Sequence, residues 1–128
     1  MPNFLVAETT VREGGESPVL SLGAGTNRHL LLTLCVSHVI ERQNLDVDVL
    51  GSEDGVTWSP LPLASFLQKF CCGTYEMIVP SSGLYFLRAV WRVSRWGHAS
   101  DRPLCRFSLS VEEARQLPQL TRVMAGAA

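Results

Sequence analysis

At 128 residues the chain fits one domain and is too short for two separate cores. With 46% hydrophobic and 18% charged residues it is apolar enough to bury a core, which excludes a disordered chain. A formal net charge of −1 provides no long-range attraction to nucleic acid or to an anionic membrane, and little repulsion between identical copies.

Taken in chain order, the pattern is one of short apolar segments punctuated by turn residues. Phe4 to Val11 predicts a first strand, which Glu13-Gly14-Gly15-Glu16-Ser17-Pro18 breaks. Val19 to Leu22 predicts a short second strand, and Gly23 to Asn27 turns the chain again. The segment His29 to Ile40 is long enough for a helix, but Thr33, Val36, Val39 and Ile40 are β-branched and favour a strand, read here as buried on both faces. Leu45-Asp46-Val47-Asp48-Val49-Leu50 alternates strictly, the signature of an antiparallel strand with one wet face. Asp54-Gly55 then centres a turn, and Val56-Thr57-Trp58 begins the next strand. Pro60 and Pro62 confine Ser59 to Leu63 to an edge or loop. Phe66 to Phe70, Thr74 to Val79, Leu84 to Arg95 and Leu104 to Val111 complete the set. The expectation is an all-β antiparallel sandwich of about eight strands, jelly-roll-like, over residues 1–111. Residues 112–128 form a tail, read as a short helix from Glu112 followed by a fraying end.

The four cysteines, Cys35, Cys71, Cys72 and Cys105, show no CxxC spacing, so a zinc knuckle or redox motif is not expected. Cys71 and Cys72 are adjacent, so a strand would point one inward and one outward. His29 and His38 lie roughly 30 Å apart if extended and cannot share a metal ion; His98 is the third histidine. A nucleophilic Cys72 needs a base that no local spacing supplies. No phosphate-binding, dinucleotide-binding, metalloprotease or serine-hydrolase motif is present. The sequence therefore predicts no catalytic residue, no metal site and no cofactor. No basic stretch followed by an apolar one opens the chain, and Leu30 to Leu34 is too short to span a bilayer. A cytoplasmic chain with reduced thiols is the default expectation, with a particle-bound or extracellular fate by another route left open.

Two stripes of charge carry the candidate contact surface. Nearly all the positive charge is Arg, Lys69 being the one lysine, and Arg makes planar, stacking contacts suited to interfaces. By parity Arg88 and Arg92 share one face of their strand, with Trp96 continuing it, while Trp91 and Arg95 take the other. Asp46 and Asp48 form a matching acidic stripe, expected to pair with the arginines within one sheet, or else between copies. The acidic group Asp46, Asp48, Glu53 and Asp54 lacks calcium-loop spacing and reads as a solvated face plus a turn. The candidate interface or ligand residues are Trp58, Tyr75, Arg88, Arg92, Trp96, Asp46 and Asp48.

Gly51-Ser52-Glu53-Asp54-Gly55-Val56-Thr57-Trp58 resembles a hairpin of discoidin-like carbohydrate-binding modules and of phage appendage domains, and is close to the Asp-box turn of sialidase propellers. More widely, Leu45-Asp46-Val47, Gly51-Ser52-x-Asp54-Gly55-x-x-Trp58, Gln68-Lys69-Phe70-x-Cys72-Gly73-Thr74-Tyr75 and Phe86-Leu87-Arg88-Ala89-x-Trp91-x-Val93-x-Arg95-Trp96-Gly97 resemble a group of small bacterial hypothetical proteins. That group carries no assigned activity, so the resemblance implies a self-contained natural domain and no catalytic residues. The functional expectation is a non-enzymatic, self-assembling structural protein, the subunit of a homo-oligomer, filament or particle coat. The alternative is a carbohydrate-binding module with a glycan platform built from Trp58, Trp91, Trp96 or Tyr75. Neither nucleic acid nor membrane insertion is expected.

Overall fold

A computed structural model describes residues 3–22, 29–40, 43–69, 71–80, 83–95 and 103–113. Among the described residues nine strands run in order: β1 (Asn3–Val11), β2 (Gly15–Glu16), β3 (Leu20–Ser21), β4 (His29–Val39), β5 (Gln43–Ser52), β6 (Ala64–Lys69), β7 (Gly73–Pro80), β8 (Phe86–Arg95) and β9 (Cys105–Glu113). They form two sheets, a sheet of four in the order β1-β9-β4-β7 and a sheet of five in the order β2-β8-β5-β6, with β3 also on β8. Every pairing is antiparallel. The chain is thus an all-β sandwich. Among the described residues there is no helix, and so none long and apolar enough to cross a membrane.

Alternation along the strands builds the core. Leu45, Val47 and Val49 of β5 are fully buried, as are Leu87 and Ala89 of β8, and they meet Leu32 and Leu34 of β4 and Phe107 and Leu109 of β9. Each such side chain contributes about 1.5–3 kcal/mol by leaving water. Period two pins the register, because a one-residue slip would turn these side chains out and the aspartates in. Among the described residues three polar side chains are also buried, Ser17, Ser52 and Gln43. Gln43, fully buried at the start of β5, donates from Nε2 to the Leu104 carbonyl at 2.7 Å and accepts from the Leu104 N–H at 2.8 Å. It ties the sheet of five to the chain entering β9.

Several expectations are corrected. The Glu13–Pro18 break contains a strand, β2, where Gly15 pairs with Trp91. A Cβ on Gly15 would lie 2.8 Å from the indole, so only glycine lets the backbone run this close to the ring. Ser17 then seals the gap between β2 and β3: its N–H donates to the Ala89 carbonyl at 2.8 Å, and its hydroxyl accepts from the Ala89 N–H at 2.9 Å. Strand β4 is not buried on both faces. Leu30, Leu32, Leu34 and Val36 face the core, while Leu31, Thr33 and Cys35 are only half-buried on the outer side. Val56 and Thr57 belong to the turn, and Trp58 makes only an isolated bridge to Ser52. Cys71 and Cys72 are both exposed, because they precede β7 and do not lie in a strand. Strand β9 runs to Glu113, so Glu112 and Glu113 are extended and paired with β4 where a helix was expected. The turn expected at 23–27, Phe70, Trp96, His98, Arg102 and the tail from 114 lie outside the described residues.

Candidate functional site

The outer face of the sheet of five gathers most of the predicted site residues. Antiparallel register places Asn44 opposite Ser94, Asp46 opposite Arg92 and Leu50 opposite Arg88, while Asp48 lies opposite Ser65 on the other side. Burial of Leu45, Val47, Leu87 and Ala89 turns the intervening residues outward. The expected pairing of the two stripes within one sheet is what the structure shows. Arg92 Nη1 donates to Asp48 Oδ2 at 3.0 Å, and Ser65 Oγ donates to Asp48 Oδ1 at 2.7 Å. Arg92 reaches diagonally past Asp46, whose Oδ1 instead accepts the Gln68 N–H at 2.7 Å. Gln68 has φ of 55° at a register shift of β6, and that bulge brings its N–H to the carboxylate. Asn44 continues the ladder, donating to Asp46 and accepting from Ser94 Oγ at 2.9 Å. Exposed ion pairs of this kind are worth about 0–1 kcal/mol each, so they specify register more than they stabilise.

Arg88 sits at the other end of the face. Its guanidinium stacks over the Trp58 indole at 4.6 Å and approaches Glu16 at 3.8 Å. Among the described residues its buried Nε has no hydrogen-bond partner. Contact with the ring quadrupole offsets that loss, since a cation over an indole gains about 0.5–2 kcal/mol.

The described aromatic candidates, Trp58, Tyr75 and Trp91, do not share a surface. Trp91 points into the sandwich, edge-on to Phe107 at 5.5 Å, and its Nε1–H donates to the Glu13 carbonyl at 3.3 Å. Tyr75 lies on the other sheet, opposite Leu34 and against the core, which corrects its placement with the arginines. Its ring carries Lys69 Nζ at 4.4 Å, and its hydroxyl donates to the Cys71 carbonyl at 3.0 Å. Trp58 alone of the three faces outward beside Arg88.

The Gly51–Trp58 hairpin is an internally saturated turn. Ser52 Oγ, buried, accepts from the Asp54 and Gly55 N–H groups at 3.2 and 2.8 Å and donates to the Thr57 carbonyl at 2.7 Å. Asp54 Oδ1 accepts from Val56 and Thr57 at 2.8 Å each, and these backbone bonds hold its carboxyl below the ordinary range. Gly55 adopts φ of 80° with Phe86 against it. The motif is built to close a turn, and its carboxylate already holds donors from the chain. Ser52→Ala should cost about 1–3 kcal/mol in a denaturant titration, because two N–H groups and a carbonyl lose their partner.

The four thiols are free: Cys105 is buried, Cys35 half-buried, and Cys71 and Cys72 exposed. Burial, and secondarily the nearby Cys72, push Cys105 up to about 11 from an ordinary 9.0. The unfolded thiol ionises first as pH rises, so the folded state is favoured below pH 9.0 and loses this contribution between there and about 11. A thermal-melt series should show Tm falling across that window, and Cys105→Ser should flatten this part of the decline. Among the described residues, no group of three His, Cys, Asp or Glu is placed to hold a metal ion. No family model, no curated protein and no solved structure matches this chain.

Proposed function

We propose that the protein is a non-enzymatic structural subunit that assembles with copies of itself. The observation that carries this reading is how the outer groups are used. Among the described residues the charged and aromatic candidates are engaged within the chain, while five large apolar side chains are left in water. Val56, Leu61 and Leu67, 81%, 75% and 52% exposed, follow one another through the β5–β6 connection into edge strand β6. Phe4 and Val19 are exposed as well, and apolar side chains left in water beside sheet edges fit a protein contact. A glycan platform is weakened because Trp91 and Tyr75 are half-buried against the core on different sheets, which favours assembly over the sugar-binding alternative.

The strand order supports a finer reading of the fold as a jelly roll whose second strand is split into β2 and β3, since β1-β9-β4-β7 over β2-β8-β5-β6 is the order that two interlocked Greek keys generate. Jelly rolls occur in viral shells and in lectins, so topology does not choose between the two functions; the side chains do. Electron micrographs of the purified chain test the reading. Rings, filaments or shells support it, and a field of isolated small particles at high protein concentration opposes it.

A further inference from the structure

The turn at Asp54-Gly55 joins a structural need to a chemical weakness. Gly55 holds φ of 80°, a left-handed value that residues with a Cβ resist. The missing Cβ also leaves its amide nitrogen unshielded beside the carboxyl of Asp54, the arrangement in which aspartate cyclises most readily. In that reaction the Gly55 nitrogen bonds to Asp54 Cγ and gives up its proton, the Cγ–OH bond breaks, and water leaves. Water then adds back to the five-membered imide. Opening at the former main-chain carbonyl leaves isoaspartate, with the backbone routed through the side chain, longer by a methylene and unchanged in mass. Among the described residues the other aspartates are Asp46 and Asp48. Each precedes a valine, whose branched Cβ shields the nitrogen, and each is held extended in β5 between two partner strands.

In the folded hairpin both reacting groups are occupied. The Gly55 N–H donates to Ser52 Oγ at 2.8 Å, which directs the nitrogen at a hydroxyl and not at Cγ. Asp54 Oδ1 accepts from the Thr57 and Val56 N–H groups at 2.8 Å each, and these bonds favour the charged carboxylate, from which no hydroxyl can leave. Ser52 Oγ holds both ends of the arrangement, since it also accepts the Asp54 N–H at 3.2 Å and donates to the Thr57 carbonyl at 2.7 Å. The side chain that does this is buried.

We infer that Asp54-Gly55 is a latent isomerisation site, closed by the Ser52 hydroxyl and exposed when the hairpin opens. The reaction runs only from opened hairpins, so its rate follows their population. Removing the hydroxyl frees the Asp54 and Gly55 N–H groups together and raises that population, and with it the rate, about tenfold. The added methylene falls between Ser52 and Trp58, which are joined by a bridge, and so disturbs the seat of the Arg88 guanidinium on the indole.

Ageing the full chain in buffer, well below its melting temperature, tests this, with isoaspartate counted by enzymatic methylation and located by peptide mapping. The same chain in urea gives the unprotected rate. The wild type in buffer should isomerise at Asp54 at least about tenfold more slowly than in urea. Ser52→Ala should react about tenfold faster than the wild type in buffer. Gln43→Leu, altered at the opposite end of β5 from Ser52, should stay near the wild-type rate. Melting curves check that both variants are folded at the ageing temperature. A wild type as fast in buffer as in urea would overturn the inference with no variant needed. Ser52→Ala at the wild-type rate would remove the role of the hydroxyl, and Gln43→Leu as fast as Ser52→Ala would show that global unfolding, and not the hairpin, exposes the site.

Discussion

Gln43→Leu should destabilise the protein by about 2–4 kcal/mol although it adds apolar character to the core, with the loss read from the urea midpoint at unchanged slope. The side chain is fully buried and makes two bonds to one backbone unit, the carbonyl and N–H of Leu104. Leucine fills nearly the same volume, so the cavity contribution is small and the cost comes from leaving those backbone groups without partners away from water. The consequence reaches beyond local stability. Leu104 leads into β9, the strand that pairs with both β1 and β4, so freeing it loosens the centre of the sheet of four. Hydrogen exchange should show the β9 amides near Cys105 opening more readily in the variant than those of β5 near Val49. A Gln43→Leu protein as stable as the wild type would show that Leu104 finds other partners and that Gln43 is not a tie between the sheets.

Phe107→Ala should cost about 3–5 kcal/mol, the largest single-residue effect expected in this molecule. Phe107 is the largest of the fully buried side chains, and it meets Trp91 edge-on at 5.5 Å with planes 72° apart. Deleting the ring removes its transfer free energy, leaves a cavity between the two sheets, and forfeits the aromatic contact, itself worth about 0.5–1.5 kcal/mol. Trp91 reports on the change directly, because its indole stands on the cavity wall: its emission should shift to longer wavelength while Trp58, outside on Arg88, is undisturbed. Phe107→Leu, which keeps most of the volume, should recover the larger part of the loss. Equal costs for the two substitutions would mean that aromatic geometry at Phe107, and not volume, dominates.

The sheet that carries the candidate face was largely legible in the sequence. Strict alternation from Leu45 to Leu50 gave the orientation of Asp46 and Asp48, and parity along the Leu84–Arg95 segment separated Arg88 and Arg92 from Trp91. The sense of their pairing followed from opposite charge. What parity does not encode is the diagonal choice of Arg92 for Asp48, which depends on the bulge at Gln68 delivering an N–H to Asp46. Strand β2 was hidden because Gly14-Gly15 has the composition of a turn, and only the indole of a residue far along the chain explains why glycine is needed there. In β4 a run apolar except for Thr33 concealed the alternation, since Leu31 and Cys35 lie on the outer face while being as apolar as the core positions between them. Tyr75 was misplaced for a related reason: its strand belongs to the other sheet, and pairing of β7 with β4 is not written in local sequence. Gln43 gave no signal at all, because its partner is set by the sandwich and not by spacing.

The mass in solution reports most directly on association. Light scattering on the wild-type chain, at concentrations from low to high micromolar, should give an integral multiple of 14.1 kDa that grows or persists as concentration rises. A mass fixed at 14.1 kDa throughout would contradict it.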